Sequence, residues 1–300
     1  NASDADIKAY GQSELATMQN TDCYIGIGDD ADMKKFKDPQ LYRAAIQEGL
    51  MHRVNNTRWV ITRAPTDDFA VACGMQLPEF EDFYLKACLL DYDNMARAVV
   101  PLKELMDRTE NVRITGLGTD LEFSIKGLKS QPCVGARNIP DGECYTAPEK
   151  LSVNGRIAFG PSSYLGESFS KITLEYRDGY ISTAIAGSDA ETAALNRILD
   201  SDAGARFTGE FAIGFHPHIT KPVGNILFDE KIGGSIHIAQ GQAYKGDAYN
   251  GNDSSVHWDM VHSQRPEHGG GEVIFDNKLI RKDGRFILPE LEGLNPENLI

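Results

Sequence analysis

The 300-residue sequence has only five cysteines, Cys23, Cys73, Cys88, Cys133 and Cys144, and none form a Cys-x-x-Cys pair. That excludes a disulfide framework, and scattered thiols point to a reducing, cytoplasmic setting. No run approaches the roughly 18 apolar residues that cross a bilayer, which excludes a spanning helix. Positive charge is scarce: 30 Lys+Arg against 44 Asp+Glu leave a formal net charge of −14. Such a chain repels phosphate backbones, and no basic cluster offsets it, so nucleic acid is excluded as a partner. His-Glu-x-x-His, Gly-x-Ser-x-Gly and the phosphate-loop pattern are all missing. No signal peptide is expected from the opening residues, although the chain opens at Asn1 without an initiator Met, the form left by a trimmed start or a removed leader.

What is present is an ordinary globular composition, 41% hydrophobic and 25% charged, enough for one large domain or two ordinary ones. The texture changes near residue 109. Before it, helix and strand alternate: Asp38-Pro39 has the form of a cap and first residue for a helix carrying Leu41, Ala44, Ala45 and Leu50. RWVITRAP reads as a strand, and Pro78–Arg108 as helix broken at Pro101. After it, alternating segments follow with tight turns, RDG and KDG among them, and one helix, ETAALNRILDSD. The expected fold is therefore α and β in two domains: an α/β N-terminal domain over 1–108 and a β-rich mixed catalytic domain over 109–300.

Gly26-x-Gly28-x-x-Ala31 imitates a dinucleotide fingerprint, but Asp29 and Asp30 would face the pyrophosphate, so it reads as a Gly-rich turn after a strand. The histidines are more informative. Six of seven (His216, His218, His237, His257, His262, His268) fall between residues 216 and 268, with His52 outside. In SVHWDM, His257 and Asp259 are two apart on a strand and share a face. His237 lies on the alternating SIHIAQG, seven residues before Tyr244. Glu143 in PDGECYTAP and Glu210 in FTGEFAIGF sit among apolar neighbours, which is costly for a carboxylate without a partner or a metal. Singly, each fits a salt-bridged or edge-exposed side chain; together they point to a metal site.

These residues fall in a pattern that resembles the thermophilic-type dimetal aminopeptidases, the group of aminopeptidase T, from about Arg58 to the C terminus. RAPTDDFAVACGMQLPEFEDFY, ITGLGTDLEFSIKG, NIPDGECYTAPEK, DAGARFTGEFAIG, FDEKIGGSIHIAQGQAY and NDSSVHWDM are similar to its blocks, in order. The chain departs from that family in a shorter N-terminal segment and in a closer spacing of Tyr244 and His257. The resemblance implies six metal ligands, Glu143, Glu210, His237, Tyr244, His257 and Asp259, with Glu143, Glu210 and Tyr244 acting in catalysis. It implies two divalent ions (Zn²⁺, Co²⁺ or Mn²⁺), a candidate bridge in Glu210, short peptide substrates and a homodimer. Hard oxygen donors with two imidazoles suit such ions. Asp120 and Thr146 read as turn-forming and supporting residues, Cys144 as a core thiol, and His216, His218, His262 and His268 as surface or loop residues.

The competing expectation is a mononuclear non-haem Fe(II) ring-cleaving dioxygenase acting on a dihydroxypyridine, with His237, His257 and Asp259 as its triad. The two glutamates, which one iron does not need, weigh against it. A degenerate, non-catalytic binding protein is a third reading, opposed by the intact ligand set.

Overall fold

A computed structural model describes residues 3–28 and 39–300 of the chain. The expected cap at Asp38 and the Asp29, Asp30 and Ala31 positions lie outside the described residues. Gly26 and Gly28 themselves belong to the strand Cys23–Gly28, not to a turn after it.

Secondary structure is mixed α and β. Helices Asp4–Gln19 and Pro39–Asn56 pack on each other beside a three-stranded parallel sheet. Two of its strands are Cys23–Gly28 and Arg58–Arg63; the third, Asn138–Ile139, comes from later in the chain. Helices Leu77–Cys88, Tyr92–Ala98 and Val100–Arg108 follow, and the break falls at Val99, which leaves Pro101 in the first turn of the last helix. Among the described residues no helix is long and apolar enough to cross a membrane.

Beyond residue 109 two antiparallel sheets dominate. The larger has eight strands, and its RDG and KDG hairpins form as the sequence predicts: Asp178 and Gly179, and Asp283 and Gly284, all take positive φ. The smaller has five strands, in the order His257–Ser263, Ser235–Gly241, Thr208–Gly214, Glu143–Thr146, Gln131–Cys133.

The two sheets share one apolar core. Ile114, Leu121, Phe123 and Leu174 of the larger meet Phe211, Ile213, Ile238 and Trp258 of the smaller, with Phe123 edge-on to Phe211 at 5.0 Å. Met95, Leu102 and Met106 join the same cluster, so apolar packing crosses the change in composition at residue 109. A second cluster packs Ala70, Phe80 and Ala87 against Val223, Phe228 and Ile232.

Arg281 ties the sheets together. It is fully buried on Lys278–Lys282 of the larger sheet, and burial pushes its pKa down to about 9. Its guanidinium donates to the carbonyls of Gly214 (3.2 Å) and Ser235 (2.9 Å) in the smaller sheet and to Gln264 Oε1 (2.8 Å). Arg281→Met keeps much of the bulk but strands these acceptors, and it should cost about 2–4 kcal/mol. Chemical denaturation would show this as a lower midpoint at unchanged slope; an unchanged midpoint would dismiss the strut.

Candidate metal centre

Period-two alternation sorts the side chains of the five-stranded sheet. Cys144, Phe211, Ile213, Ile236, Ile238, Trp258 and Met260 point into the core. Their chain neighbours Glu143, Glu210, His237, His257 and Asp259 consequently share the opposite face. Most of their cross-strand partners there are small: Glu210 and Asp259 both pair with Ala239, His237 with Ala212, His257 with Gly241 and Glu143 with Gly214, while Val261 and Cys133 flank His237 and Glu143 on their other sides. Small partners leave the space into which the long polar side chains converge.

A β-bulge immediately before Glu210 puts it out of phase with Thr208. Thr208 pairs with Gln240 and Glu210 with Ala239, so Gly209 is one residue too many. Thr208 lies on the core side against the Tyr176 hydroxyl, and regular pairing would have put Glu210 there as well. A Cβ at Gly209 would stand 2.4 Å from the Gln242 carbonyl oxygen and 2.5 Å from that of Gly241, so this position requires glycine.

The polar atoms stand apart at one repeated distance. His257 Nε2 is 3.4 Å from both Glu210 Oε2 and Asp259 Oδ1. His237 Nε2 is 3.4 Å from Glu210 Oε1 and 3.6 Å from Glu143 Oε2. Ligands at about 2.1 Å from a tetrahedral ion are about 3.4 Å from each other. His257 Nε2, Asp259 Oδ1 and Glu143 Oε2 are buried and lack any hydrogen-bond partner. The second nitrogen of each imidazole is fixed, His257 Nδ1 on the Gln242 carbonyl (2.8 Å) and His237 Nδ1 on that of Glu230 (3.2 Å), leaving both Nε2 atoms for the shared space. This donor set fits divalent cations. Glu210, His257 and Asp259 could hold one, and Glu210's other oxygen with His237 and Glu143 faces the adjacent position.

Without a cation, the carboxylates load the imidazoles with protons. Burial opposes charge on His237, yet Glu143, Glu210 and Asp259 outweigh it and raise its pKa to about 10. His257 is likewise held well above its ordinary value, against burial, by Asp259 and Glu210. Burial also works to raise Glu210 and Asp259, but the imidazoles prevail and hold both below the usual carboxylate range.

The sequence reading missed the centre's fixed cation. Lys231 is fully buried, with Nζ 2.5 Å from Glu143 Oε1, 2.6 Å from Glu230 Oε1 and 3.5 Å from Asp141 Oδ1. Burial would lower its pKa; these carboxylates outweigh that and hold it well above the lysine range. Burial dominates at Glu143 and raises its carboxyl to about 8. Cys133, Asp141 and Glu143 also converge, but the cation beside these acids is the Lys231 ammonium. The available signal was the charged run Asp229-Glu230-Lys231 between Phe228 and Ile232.

Tyr244 comes to the site as a ring: it lies 5.0 Å from the His257 ring and 5.2 Å from Tyr145, is 45% exposed, and its phenol makes no hydrogen bond to the carboxylates. Two histidines expected at the surface are buried. His216 accepts from the backbone N–H groups of His218 and Ile219 on Nδ1 and bonds the Ala87 carbonyl through Nε2, and burial lowers its pKa to about 3. His262 Nδ1 bonds the Ala158 carbonyl at 2.7 Å. His268 is exposed and His218 half-buried. Asp120 sits in a strand, not a turn, paired with Arg113 on the surface; Thr146 is buried on the Lys129 carbonyl. Cys144 is a core thiol, raised to about 12 by burial. The loop between Tyr244 and His257 is tied by Asn252, buried against the Gly204 and Gly241 carbonyls.

The chain has counterparts among known proteins. The chain is 35% identical over 169 residues to aminopeptidase 2 of Geobacillus stearothermophilus, covering 49% of this chain and 37% of that protein. It is 32% identical over 166 residues to aminopeptidase T of Thermus thermophilus, covering 50% and 40%. It thus spans well under half the length of the curated relatives it matches. Among solved structures, wild-type AmpT from Thermus thermophilus superposes with a TM-score of 0.78 at 22% identity, covering 94% of this chain and 80% of that one. A 2,5-dihydroxypyridine dioxygenase from Pseudomonas putida superposes with a TM-score of 0.58 at 13% identity, covering 97% of this chain and all of the other. At such identities the two superpositions speak to the fold. The family described as thermophilic metalloprotease (M29) matches residues 5–286, and the chain belongs to that family.

Proposed function

We propose that the chain is a metal-dependent aminopeptidase that removes N-terminal residues from short peptides, using two divalent ions, Zn²⁺, Co²⁺ or Mn²⁺. The observation that carries this reading is Glu210, whose two oxygens face different imidazoles at 3.4 Å, the disposition of a bridging carboxylate. In this reading Glu210, His257 and Asp259 would hold one ion and His237 and Glu143, with Glu210, the other, and Tyr244, whose ring lies beside His257, would complete the set. Ions bound there supply Lewis acidity, which lowers the pKa of water and polarises a carbonyl.

The residues of the chain do the rest. Lys231 anchors Glu143 through Oε1 and leaves Oε2 directed at the site. The surplus of carboxylates attracts the free α-ammonium of a peptide, which selects chain ends. In this reading residues 109–300, which carry all six ligands, act as the catalytic domain and 1–108 form an α/β N-terminal domain. A homodimer follows the family resemblance, and five unpaired thiols support a cytoplasmic setting. The dioxygenase alternative, built on His237, His257 and Asp259, gives no role to Glu143 or Glu210.

Three outcomes follow. Glu210→Gln keeps the size and removes one negative charge, so bound metal should fall to about one ion per chain. Hydrolysis of a leucine anilide should drop about 10²-fold or more with the fold retained; metal analysis beside kcat and circular dichroism reads this. A wild-type chain that binds a single Fe(II), cleaves no anilide and consumes O₂ with a dihydroxypyridine would replace the reading with its alternative.

Metal binding should also release protons. His237, raised to about 10, carries a proton at pH 7.5 that an ion must displace, so about one proton or more should leave per chain. Calorimetry in buffers of different ionisation enthalpy measures that number, and metal affinity should weaken as pH falls. The sign is opposite for the metal-free fold: an imidazole with raised pKa stabilises below its unfolded value, near 6.5, and that stability is lost as pH rises towards 10. Metal-free protein that is equally stable at pH 7 and pH 10.5 would refute the pairing of His237 with these carboxylates.

A further inference from the structure

Strand His257–Ser263 is the edge of the five-stranded sheet, and its backbone alternates with a definite phase. At its two ends, Gln242 N–H donates to the Val256 carbonyl (2.7 Å) and Gln264 N–H donates to that of Gly234 (3.0 Å). Even-numbered residues therefore face the neighbouring strand, and the N–H and C=O groups of Asp259 and Val261 point outward. Gly160 N–H meets the Val261 carbonyl from that outer side at 3.3 Å. Among the described residues nothing bonds the Asp259 N–H, the Asp259 carbonyl or the Val261 N–H.

This leaves the Asp259 N–H and carbonyl and the Val261 N–H free, and that carbonyl and the Val261 N–H stand on either side of Met260. In parallel pairing a single residue donates its N–H to the carbonyl before its opposite number and accepts from the N–H after it. Antiparallel pairing through the Asp259 N–H and carbonyl could not continue to Val261, whose carbonyl Gly160 holds, whereas parallel pairing uses only free groups. Parallel pairing also sets polarity: the N-terminal side of an added chain lies towards His257 and the C-terminal side towards Ser263. A groove of about 590 Å³ opens along this edge, bordered by Asp259 and walled by Pro161, Phe169, Ile226, Ile232 and Val261.

We propose that this edge is the track for the leaving part of the substrate peptide: its third residue adds in parallel opposite Met260, and the residues after it run into the groove. The inference rests on the aminopeptidase reading and deepens it. Asp259 joins the two sites, since its carboxylate belongs to the metal centre and its carbonyl to the track. In this arrangement the N–H of the third residue, one residue or about 3.3 Å past the leaving amine, meets the Asp259 carbonyl. The enzyme would be an oligopeptide aminopeptidase, favouring tripeptides and longer chains over dipeptides.

The experiment compares kcat/KM for a leucine anilide, Leu-Gly, Leu-Gly-Gly and Leu-Gly-Gly-Gly, and for the tetrapeptide N-methylated at its third residue. The expected result is a rise of about tenfold from dipeptide to tripeptide or longer, abolished by N-methylation. Val261→Pro removes the outward N–H without breaking the ladder; it should lower kcat/KM for the tetrapeptide about tenfold more than for the anilide. If that variant does not fold, the N-methylated substrate on wild-type protein still decides. Equal kcat/KM at all lengths, with rates following only the bulk of the N-terminal side chain, overturns the proposal, because the groove would then hold that side chain. If neither anilide nor peptide is cleaved, the aminopeptidase reading itself fails, and this inference with it.

Discussion

Five carboxylates, those of Asp141, Glu143, Glu210, Glu230 and Asp259, are held largely out of water beside one face of one sheet, and their mutual repulsion is the constraint the rest of the structure answers. Uncompensated carboxylates in such a place would cost several kcal/mol each. Compensation is graded. Lys231 gives a permanent charge to Asp141, Glu143 and Glu230, whereas Glu210 and Asp259 face only imidazoles, whose charge can be given up. The first group behaves as structure, and the second remains available to a cation.

The scaffold makes this economical. One face of the five-stranded sheet is spent on the shared apolar core, and Arg281 fastens it to the larger sheet through backbone carbonyls. With that face anchored, the other can carry charge without losing register, because a one-residue slip would drive Glu210, His237 and Asp259 into the core. Among the described residues the bulge at Gly209 is the single break of register in this five-stranded sheet, and it lies immediately before Glu210. The same alternation acts on the backbone at the sheet's edge, so the strand that carries two candidate ligands also presents an unpaired track beside them.

Much of this was legible in the residues. Period-two patterns located the strands, and the His-x-Asp spacing placed His257 and Asp259 on one face. Glycine at the second turn position marked both hairpins, because only a positive φ closes them. Burial was less legible: His216 sits in a loop-like context, His262 shares the parity of Trp258 and Met260 near the end of its strand, and nothing local says that Ala87 and Ala158 carbonyls will cover them. Lys231 was invisible for the same reason, since a lysine in a charged run normally faces water and its partners Asp141 and Glu143 lie some ninety residues earlier.

The sequence alone determined which side chains could serve chemistry and the parity that divides core from site along each strand, because both are properties of neighbouring residues. Only tertiary structure decided that four separate strands would lie side by side with that parity in phase. It also decided that Gly209 would shift one of them by a residue, that Lys231 would enter among the acids, and that Asp259 would stand at an open edge. Those are matters of long-range pairing and charge compensation, which depend on residues far apart in the chain and leave no local periodicity to read.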